Sequence, residues 1–403
     1  MAHKLPSYYF PLQTKREPMK DEAKWSKAED FFDNGEYRKA VISTLEYSNS
    51  KIFKGVNVKQ DISIDRVHGS VGIKIELNDS KFRVYCDIAS IDNDTQIIPL
   101  LRRVAEVNFS MLDYSHIVYD GDKLYIDCKL QLHRCKPNMV HWILQEVVFN
   151  ADEFSNEFIY KYGAKDINAV AKKALSKSQK KQTIEVLRKY LSEFDEFVDY
   201  FEKNNKSNFA WDMIIITLYK IANMTYINGY LKYELMQKIA MIHDRDIDFY
   251  DRINRGKSFI KEIQGKSDNY FEELLYFRED LISMLKYSNV DILKSWFEDY
   301  SENLVKFEND NDSFTMCYYM EAMFLRVIYN YNLSPRQKSA VEETLHDISR
   351  GEIDASKDKM VKLYNKFMDK DISDSKSNNN FLKSMAYWVI WIMAINVIFR
   401  MFK

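Results

Sequence analysis

Apolar residues recur with three different spacings along this chain, and the changes of spacing divide it into segments. Helical steps of three and four residues alternate with two-residue steps in the first part, only helical steps occur in the second, and a nearly continuous apolar run follows. The predicted segments are a polar arm at 1–20, an α+β domain with an N-terminal helix pair at 21–163, a basic linker at 164–182, an all-α domain at 183–370, a polar spacer at 371–383 and an apolar tail at 384–402.

Two β-hairpins are predicted in the α+β domain. Apolar residues at 73, 75 and 77 alternate with polar ones, and after the turn residues at 78–80 the alternation resumes over 82–88. A second pair of alternating runs flanks Asp120-Gly121-Asp122, a typical hairpin turn. Helical spacing precedes, separates and follows the hairpins. This order predicts an antiparallel sheet covered by helices.

Three features of this domain carry a family resemblance. They are a strand pair that ends in Phe82–Ile88, a helix that ends in Arg102–Asn108, and a charged hairpin at Tyr119–Ile126 that leads through a strand into a long amphipathic helix. In element order and hydrophobic pattern, residues 67–163 resemble the YbjN-like, type III secretion chaperone-like family. The resemblance implies a small α/β sandwich that binds other polypeptides or dimerises and that catalyses no reaction.

The second domain is predicted to consist of helices alone. Its first helix carries an a/d seam in alternating steps of three and four, formed by Ile184, Leu187, Leu191, Phe194, Val198 and Phe201. Further amphipathic runs follow, among them 270–287 and 292–307, and no strand-like alternation interrupts them up to 370. We therefore expect about eight packed helices.

The apolar tail is predicted to be a transmembrane helix. Ser384 to Phe399 contains no charged residue, and as a helix it would span about 24 Å. Trp388 and Trp391 suit a membrane interface, and Arg400 can extend its charge to the headgroups. Asn396 is the polar residue inside the run. The alternative is a buried helix docked on the helical domain, but the polar spacer before it argues against tight docking.

Composition and charge favour a reducing compartment and a polypeptide partner. The formal net charge is −2, so no global field attracts nucleic acid, and the lysines of the basic linker have no interleaved aromatic residues for stacking on bases. Four cysteines lie far apart in 403 residues, unlike a secreted disulfide scaffold. No signal peptide is visible in the first 20 residues. We expect a single-pass protein of a bacterial inner membrane, with its bulk on the cytoplasmic side.

No residue pattern indicates a complete catalytic or metal site. His243 and Asp246 can share one helix face, but no further ligands are recognisable. The Gly-Lys-Ser triplets at 256–258 and 265–267 lack the first glycine of a phosphate loop. Cys128, His133 and Cys135 are close in sequence, and buried thiols are the simpler interpretation. We therefore expect no catalytic residue, cofactor, metal or small-molecule substrate.

These features together favour a membrane-tethered, non-catalytic adaptor or chaperone-like protein. Its expected partner is another polypeptide or a second copy of the chain. Tyrosine and arginine dominate the energetics of protein interfaces, which selects exposed strand positions, and the helical seam offers a second surface. The predicted contact residues are Arg83, Tyr85, Lys123 and Tyr125 on the strands and Leu187, Leu191 and Phe194 on the seam.

Two other functions are compatible with the sequence. A membrane-disrupting effector would sense a signal with its cytoplasmic domains, oligomerise and cluster its tails, with Asn396 bonding between helices. Toxicity on overexpression that depends on the tail would indicate this function. A hydrolase-type enzyme would form its site only in three dimensions, in the helical domain. A pocket that joins His243 and Asp246 to carboxylates distant in sequence would indicate the enzyme.

Removal of residues 381–403 tests the predicted tail. We expect the full chain to sediment with membranes and to resist high-salt and carbonate washes, because exposing so much apolar surface to water is costly. The truncated chain should stay folded and soluble, as measured by fractionation and circular dichroism. A misfolded truncation, or a full chain in the soluble fraction, would show that the tail belongs to the folded core.

Overall fold

The computed structural model describes residues 4–9, 20–168, 171–204, 206 and 208–372. The predicted tail at 384–402, which includes Trp388, Trp391, Asn396 and Arg400, lies outside these residues. Within the described residues, no helix is both long enough and apolar enough to cross a membrane. The described chain forms an α/β part and a helical part, each with its own hydrophobic core.

A helix pair begins the α/β part. Helices α1 (Glu22–Asp33) and α2 (Tyr37–Ser48) form the predicted helix pair and are joined by a tight turn. Gly35 has a φ of +77°, a left-handed conformation that is favourable for glycine, so the chain can reverse there. Helix α2 also contacts α4 (Pro137–Tyr162), which ties the pair to the rest of this part.

Five strands form one antiparallel sheet in the order β1-β2-β3-β5-β4. Their bounds are Ile62–His68 for β1, Val71–Leu77 for β2, Lys81–Ser90 for β3, His116–Asp120 for β4 and Lys123–Gln131 for β5, and α3 (Ile97–Ser110) connects β3 to β4. Both predicted hairpins, β2–β3 and β4–β5, are present. The antiparallel sheet with helices that the apolar pattern predicts is therefore confirmed.

Helix α4 covers one face of the sheet, here called the inner face. This helix of 26 residues starts at Pro137, whose missing N–H is no loss in a first turn, and ends at Tyr162 with Gly163 as its C-cap. Its apolar residues pack on the apolar residues of β2, β3 and β5. Register pairs Val84 with Cys128, and both are buried on the inner face. The two-residue alternation then directs their neighbours to the opposite, outer face.

Ten helices are described between Lys177 and Met368. They are α5 (Lys177–Lys203), α6 (Phe209–Ala222), α7 (Gly229–His243), α8 (Phe249–Gly265), α9 (Asp268–Leu274), α10 (Val290–Glu298), α11 (Ser301–Asn309), α12 (Ser313–Asn330), α13 (Pro335–Asp347) and α14 (Ile353–Met368). Helix α5 starts inside the predicted basic linker, because Ser176 and Gln179 form a capping box there. The predicted run at 292–307 is divided into α10 and α11.

The predicted helix over 270–287 is wrong beyond Leu274. Residues 275–285, here called the crossing segment, run to the α/β part, where Leu281 and Ile282 enter its core. The N–H of Phe277 donates to Lys173 O (2.9 Å). This main-chain hydrogen bond, which a helix would form within itself, is therefore formed with another segment. Beyond it, β6 (Lys286–Tyr287) pairs in parallel with β7 (Tyr331–Asn332), so the helical part is not purely helical.

A buried ion pair fastens the crossing segment to α4. Arg278 Nη1 lies 2.9 Å from Asp152 Oδ2, and Asp280 also pairs with this guanidinium. Asp152 further accepts bonds from the N–H and hydroxyl of Ser70, each 2.7 Å long. Gly69 passes so close that a Cβ there would lie 2.2 Å from Asp152 Oδ2. Burial alone would lower the pKa of Arg278, but the two aspartates outweigh it and raise that pKa.

Residues 4–9 lie against the helical part. The sequence predicts them as a section of a polar arm, yet Leu5, Ser7 and Tyr8 are buried. Apolar and polar groups of this short stretch therefore contribute to the fold. Ten further residues, which the structure does not describe, connect it to Lys20.

The Arg278→Met variant tests the ion pair. We expect it to lower the free energy of unfolding by about 3–5 kcal/mol, because Asp152 and Asp280 would stay buried without the guanidinium that pairs with both of them. Urea unfolding followed by circular dichroism measures the change. Lys173→Met is the matched control, since Lys173 pairs with Glu279 of the same segment at the surface, where both side chains are about half exposed. That control should cost less than about 1 kcal/mol. Equal losses in the two variants would contradict a special role for Arg278.

Candidate protein-interaction surface

The outer face of the sheet carries partly exposed polar and aromatic side chains. They are Lys74 and Glu76 of β2, Arg83, Tyr85 and Asp87 of β3, and Tyr125 and Asp127 of β5. The side chains of Lys74, Asp87 and Glu76 are 37%, 36% and 43% exposed. The side chains of Arg83 and Asp127 are 29% and 18% exposed, so this face is partly open to solvent.

Tyr85 lies at the centre of the outer face. The guanidinium carbon of Arg83 is 4.0 Å from the centroid of the Tyr85 ring, which is within cation–π distance. The Tyr85 hydroxyl donates to Glu76 Oε1 (3.0 Å) on the neighbouring strand. Partial burial and this bond raise the pKa of Tyr85, so the phenol stays protonated. The ring is thereby held in one orientation before any partner arrives.

Two ion pairs cross the strands on either side of Tyr85. Arg83 Nε donates to Asp127 Oδ1 (2.7 Å), and Lys74 Nζ donates to Asp87 Oδ2 (3.0 Å). The bond to Asp127 raises the pKa of Arg83, and the bond to Asp87 raises the pKa of Lys74. Charges of both signs are thus paired within the surface, which leaves it amphipathic and close to neutral.

Tyr125 and Lys123 extend the outer face along β5. Tyr125 pairs with Asp87 and Tyr85 with Asp127, so the two tyrosines are diagonal neighbours on adjacent strands. Lys123 is exposed and pairs with Ser90 at the end of β3, beyond a bulge. The structure therefore brings Arg83, Tyr85 and Tyr125 together and puts Lys123 at the margin.

Exposed apolar residues near the edge strand β4 were missed by the sequence analysis. They are Phe109 and Met111 at the end of α3, Tyr119 in β4 and Trp142 in α4. Phe109 is 92% exposed, and Trp142 stacks on Tyr114 with 6.4 Å between centroids. The sequence could have indicated this exposure. Val107 is the last buried residue of α3, and the helical spacing places Phe109 outside the buried face of that helix. Single exposed apolar side chains are ordinary on a protein surface, but four of them near one strand edge make this edge a second candidate surface.

The seam residues Leu187, Leu191 and Phe194 lie in the core of the helical part. Their exposed fractions are 0–1%, and they pack among the other helices. A partner would reach them only if the helical part opened. In this structure the seam holds the helices of one chain together.

His243 and Asp246, the residues of the enzyme alternative, have different surroundings. The Tyr219 hydroxyl lies 2.9 Å from His243 Nε2, and the ring of Trp211 meets the imidazole edge-on. Burial, with nearby arginines, lowers the pKa of His243 to about 4, so the ring is neutral at pH 7. Asp246 is exposed in the following turn. His243 thus contacts aromatic side chains on the helical part, and Asp246 is directed to solvent in the turn that follows.

A cavity of about 240 Å³ lies beside the crossing segment. Arg278, Asp280, Lys232 and Met284 contribute to its lining, and His243 does not. Its volume is below the roughly 300–1,000 Å³ of typical small-molecule sites. In the part of the chain that the structure describes, no group of three or more His, Cys, Asp or Glu is arranged to hold a metal ion.

All four cysteines are free and buried. Burial is the main cause that raises the pKa of Cys128, Cys135 and Cys317 to about 12, and it raises that of Cys86 well above its usual value. His133, between Cys128 and Cys135 in sequence, is exposed. These thiols are therefore neither ionised nor accessible at neutral pH.

Thiol titration checks this description. In the native protein at pH 8, we expect none of the four thiols to react with Ellman's reagent within minutes, because only about one in 10⁴ of a thiol with a pKa near 12 is ionised there. After denaturation in guanidinium chloride, all four cysteines should react. Rapid modification of one thiol in the folded protein would contradict the burial of that cysteine and would make it a candidate reactive residue.

No family model matches the chain, and no curated protein is significantly similar to it. The resemblance of residues 67–163 to the YbjN-like family stays a prediction. The functional inference therefore depends on the geometry of this chain's own surfaces.

Proposed function

We propose that this protein is a non-catalytic, chaperone-like adaptor that binds another polypeptide, or a second copy of itself, through the outer face of its sheet. The observation that best supports the proposal is the cluster of Arg83, Tyr85 and Tyr125 on a sheet face that α4 leaves uncovered. Tyrosine and arginine bury much area in an interface while losing little conformational freedom.

The orientation of these side chains supports binding with a low ordering cost. Tyr85 is held between Arg83 and Glu76, so a partner need not immobilise it. Preorganisation of this kind increases affinity, because less side-chain entropy is lost on association.

The charge pattern favours an amphipathic polypeptide over a highly charged ligand. Each cation at the centre of the outer face already has a carboxylate partner, as Arg83 with Asp127 and Lys74 with Asp87. A polyanion such as nucleic acid would have to displace those carboxylates. An uncharged strand or helix with apolar and hydrogen-bonding side chains can use the tyrosines without breaking the pairs.

The edge strand β4 offers a second way to bind the same partner. Within the described part of the chain β4 pairs with β5 on one side only, and the exposed Phe109 lies on the helix that packs beside it. An extended partner segment could add to this edge through main-chain hydrogen bonds, with Phe109 and Trp142 contacting its side chains.

The proposal includes a membrane tether. Its support is the apolar run of residues 384–402, in which Trp388, Trp391 and Arg400 are suited to the membrane interface and Asn396 to contact with a neighbouring helix. The adaptor would then present its outer face to cytoplasmic partners from a bacterial inner membrane.

The double change Tyr85→Ala and Tyr125→Ala tests the outer face. We expect it to weaken partner capture from solubilised membranes, or self-association in sedimentation, by about 2 kcal/mol, which is roughly 30-fold in the dissociation constant. Tyr250→Ala is the matched control, because Tyr250 is a 73% exposed tyrosine on α8 of the helical part. The control should bind as the unchanged protein does.

Circular dichroism must first show that the double variant is folded. Unchanged binding in that folded variant would contradict the outer face as the recognition surface. Equal loss in the Tyr250→Ala control would indicate nonspecific contacts through exposed tyrosines.

A further inference from the structure

Residues 4–9, here called the N-terminal segment, cross the surface where α5, α6, α12 and the α13–α14 connection meet. Lys4 forms a β-bridge with Glu352, and the segment has no helical structure. Leu5 is fully buried, and Tyr8 is 3% exposed. The segment is thus enclosed by side chains of the helical part, although it precedes the α/β part in sequence.

Every N–H group from Leu5 to Tyr9 donates to the helical part; Pro6 has none to offer. The bonds run from Leu5 N to Gly351 O (3.0 Å), from Ser7 N to both carboxylate oxygens of Glu193 (2.9 Å each), from Tyr8 N to Ser349 Oγ (2.9 Å) and from Tyr9 N to the Tyr190 hydroxyl (3.0 Å). Three of the four acceptors are side chains. Ordinary folded segments satisfy most of their main-chain groups with other main-chain groups, so this pattern resembles the recognition of a bound peptide.

Charged side chains surround Ser7. Lys220 Nζ donates to its carbonyl oxygen (2.7 Å), and Arg350 Nε donates to its hydroxyl (2.8 Å). Arg350 also pairs with Glu193 (2.8 Å), which accepts from the Ser7 N–H. Two cationic side chains and one carboxylate therefore form hydrogen bonds with the main chain and the side chain of Ser7.

The cation that contacts the Ser7 carbonyl is itself deeply buried. Lys220 and Glu321 pair at 2.8 Å with side chains only 2% and 1% exposed. Burial raises the pKa of Glu321 despite the opposing effect of Lys220. A buried pair of this kind seldom stabilises a fold by itself, because removing both charges from water is costly. Its contact with Ser7 gives it a role in holding the segment.

The side chains of the segment occupy defined positions. Leu5 belongs to the core of the helical part, and the ring of Tyr9 packs on Tyr190 with 5.4 Å between centroids. The ring of Tyr8 is buried, whereas its hydroxyl has no hydrogen-bond partner among the described residues. The surroundings therefore select an apolar residue, a serine two positions later, and aromatic rings directly after it.

We propose that the helical part contains a peptide-binding site, and that the N-terminal segment is an exchangeable ligand of this site rather than a permanent element of the core. The ligand class is an extended peptide with an apolar residue, proline, serine and two aromatic residues in succession, as in Leu5–Tyr9. The site is separate from the outer face of the sheet, so the two proposals can fail independently.

Cleavage of the connection in the folded full-length protein tests the proposal. A protease site is introduced within residues 10–19, the protein is purified in detergent and cleaved, and a fluorescent peptide with the sequence of residues 2–12 is added. We expect saturable binding of one peptide per chain, measured by anisotropy, with release of an equal amount of the chain's own segment, measured by mass spectrometry.

Two modified peptides show whether the observed contacts are used. N-methylation at Ser7 removes the N–H that Glu193 accepts and should weaken binding about 30-fold, since that bond involves a charged group in a buried site. The matched control, Tyr8→Phe, removes only the unpaired hydroxyl and should change binding less than about threefold. Because the changes are in the peptide, neither alters the folding of the protein.

Three results would overturn the proposal. The cleaved protein could retain its own segment and take up no peptide over a day, or it could lose its helical circular dichroism once cleaved. Either would make the segment an integral part of the core. Equal binding of the N-methylated and unmodified peptides would exclude recognition through Ser7.

Discussion

Asp152 and Arg278 meet where neither side chain is more than 11% exposed, and this buried pair joins α4 to the crossing segment between the two parts of the molecule. Helix α4 directs its apolar residues to the sheet and Asp152 to the crossing segment, and it also contacts α7 of the helical part. The aspartate also binds Ser70 beside Gly69, where no Cβ would fit. The helical part attaches through α4, on the inner side of the sheet, and among the described residues the side chains of the outer face stay partly exposed.

Two surfaces of this chain use polar groups in opposite ways. On the outer face, Arg83 and Asp127 pair with each other in partial contact with solvent, so the two charges neutralise each other at the surface that we propose for partner binding. In the helical part, Glu193 and Lys220 are buried and direct their charges to the main chain of Ser7. Recognition of main-chain groups depends less on sequence, which suits a site for an extended segment.

Local periodicity was sufficient to predict much of the α/β part. In a strand, successive side chains point to opposite faces, so Val84 lies on one face and its neighbours Arg83 and Tyr85 lie on the other. The sequence alone therefore predicts which residues share the outer face. The turn at Gly35 and the antiparallel hairpins are equally local features. The exposed Phe109 was also visible as an aromatic off the buried side of its helix, although it was not recognised.

The remaining features depend on which distant segments approach one another. Apolar residues do recur at helical spacing over 270–287. Leu281 and Ile282 are nevertheless buried in the core of the α/β part, and the local sequence pattern carries no information about that distant contact. The seam at Leu187 was equally clear, but only packing decides whether a partner or the same chain covers it. Periodicity shows that an apolar side must be buried. Only the tertiary structure decides which segment buries it. The free energy of burying apolar surface comes from removing that surface from water, and it does not depend on how far apart the contacting residues are in the sequence.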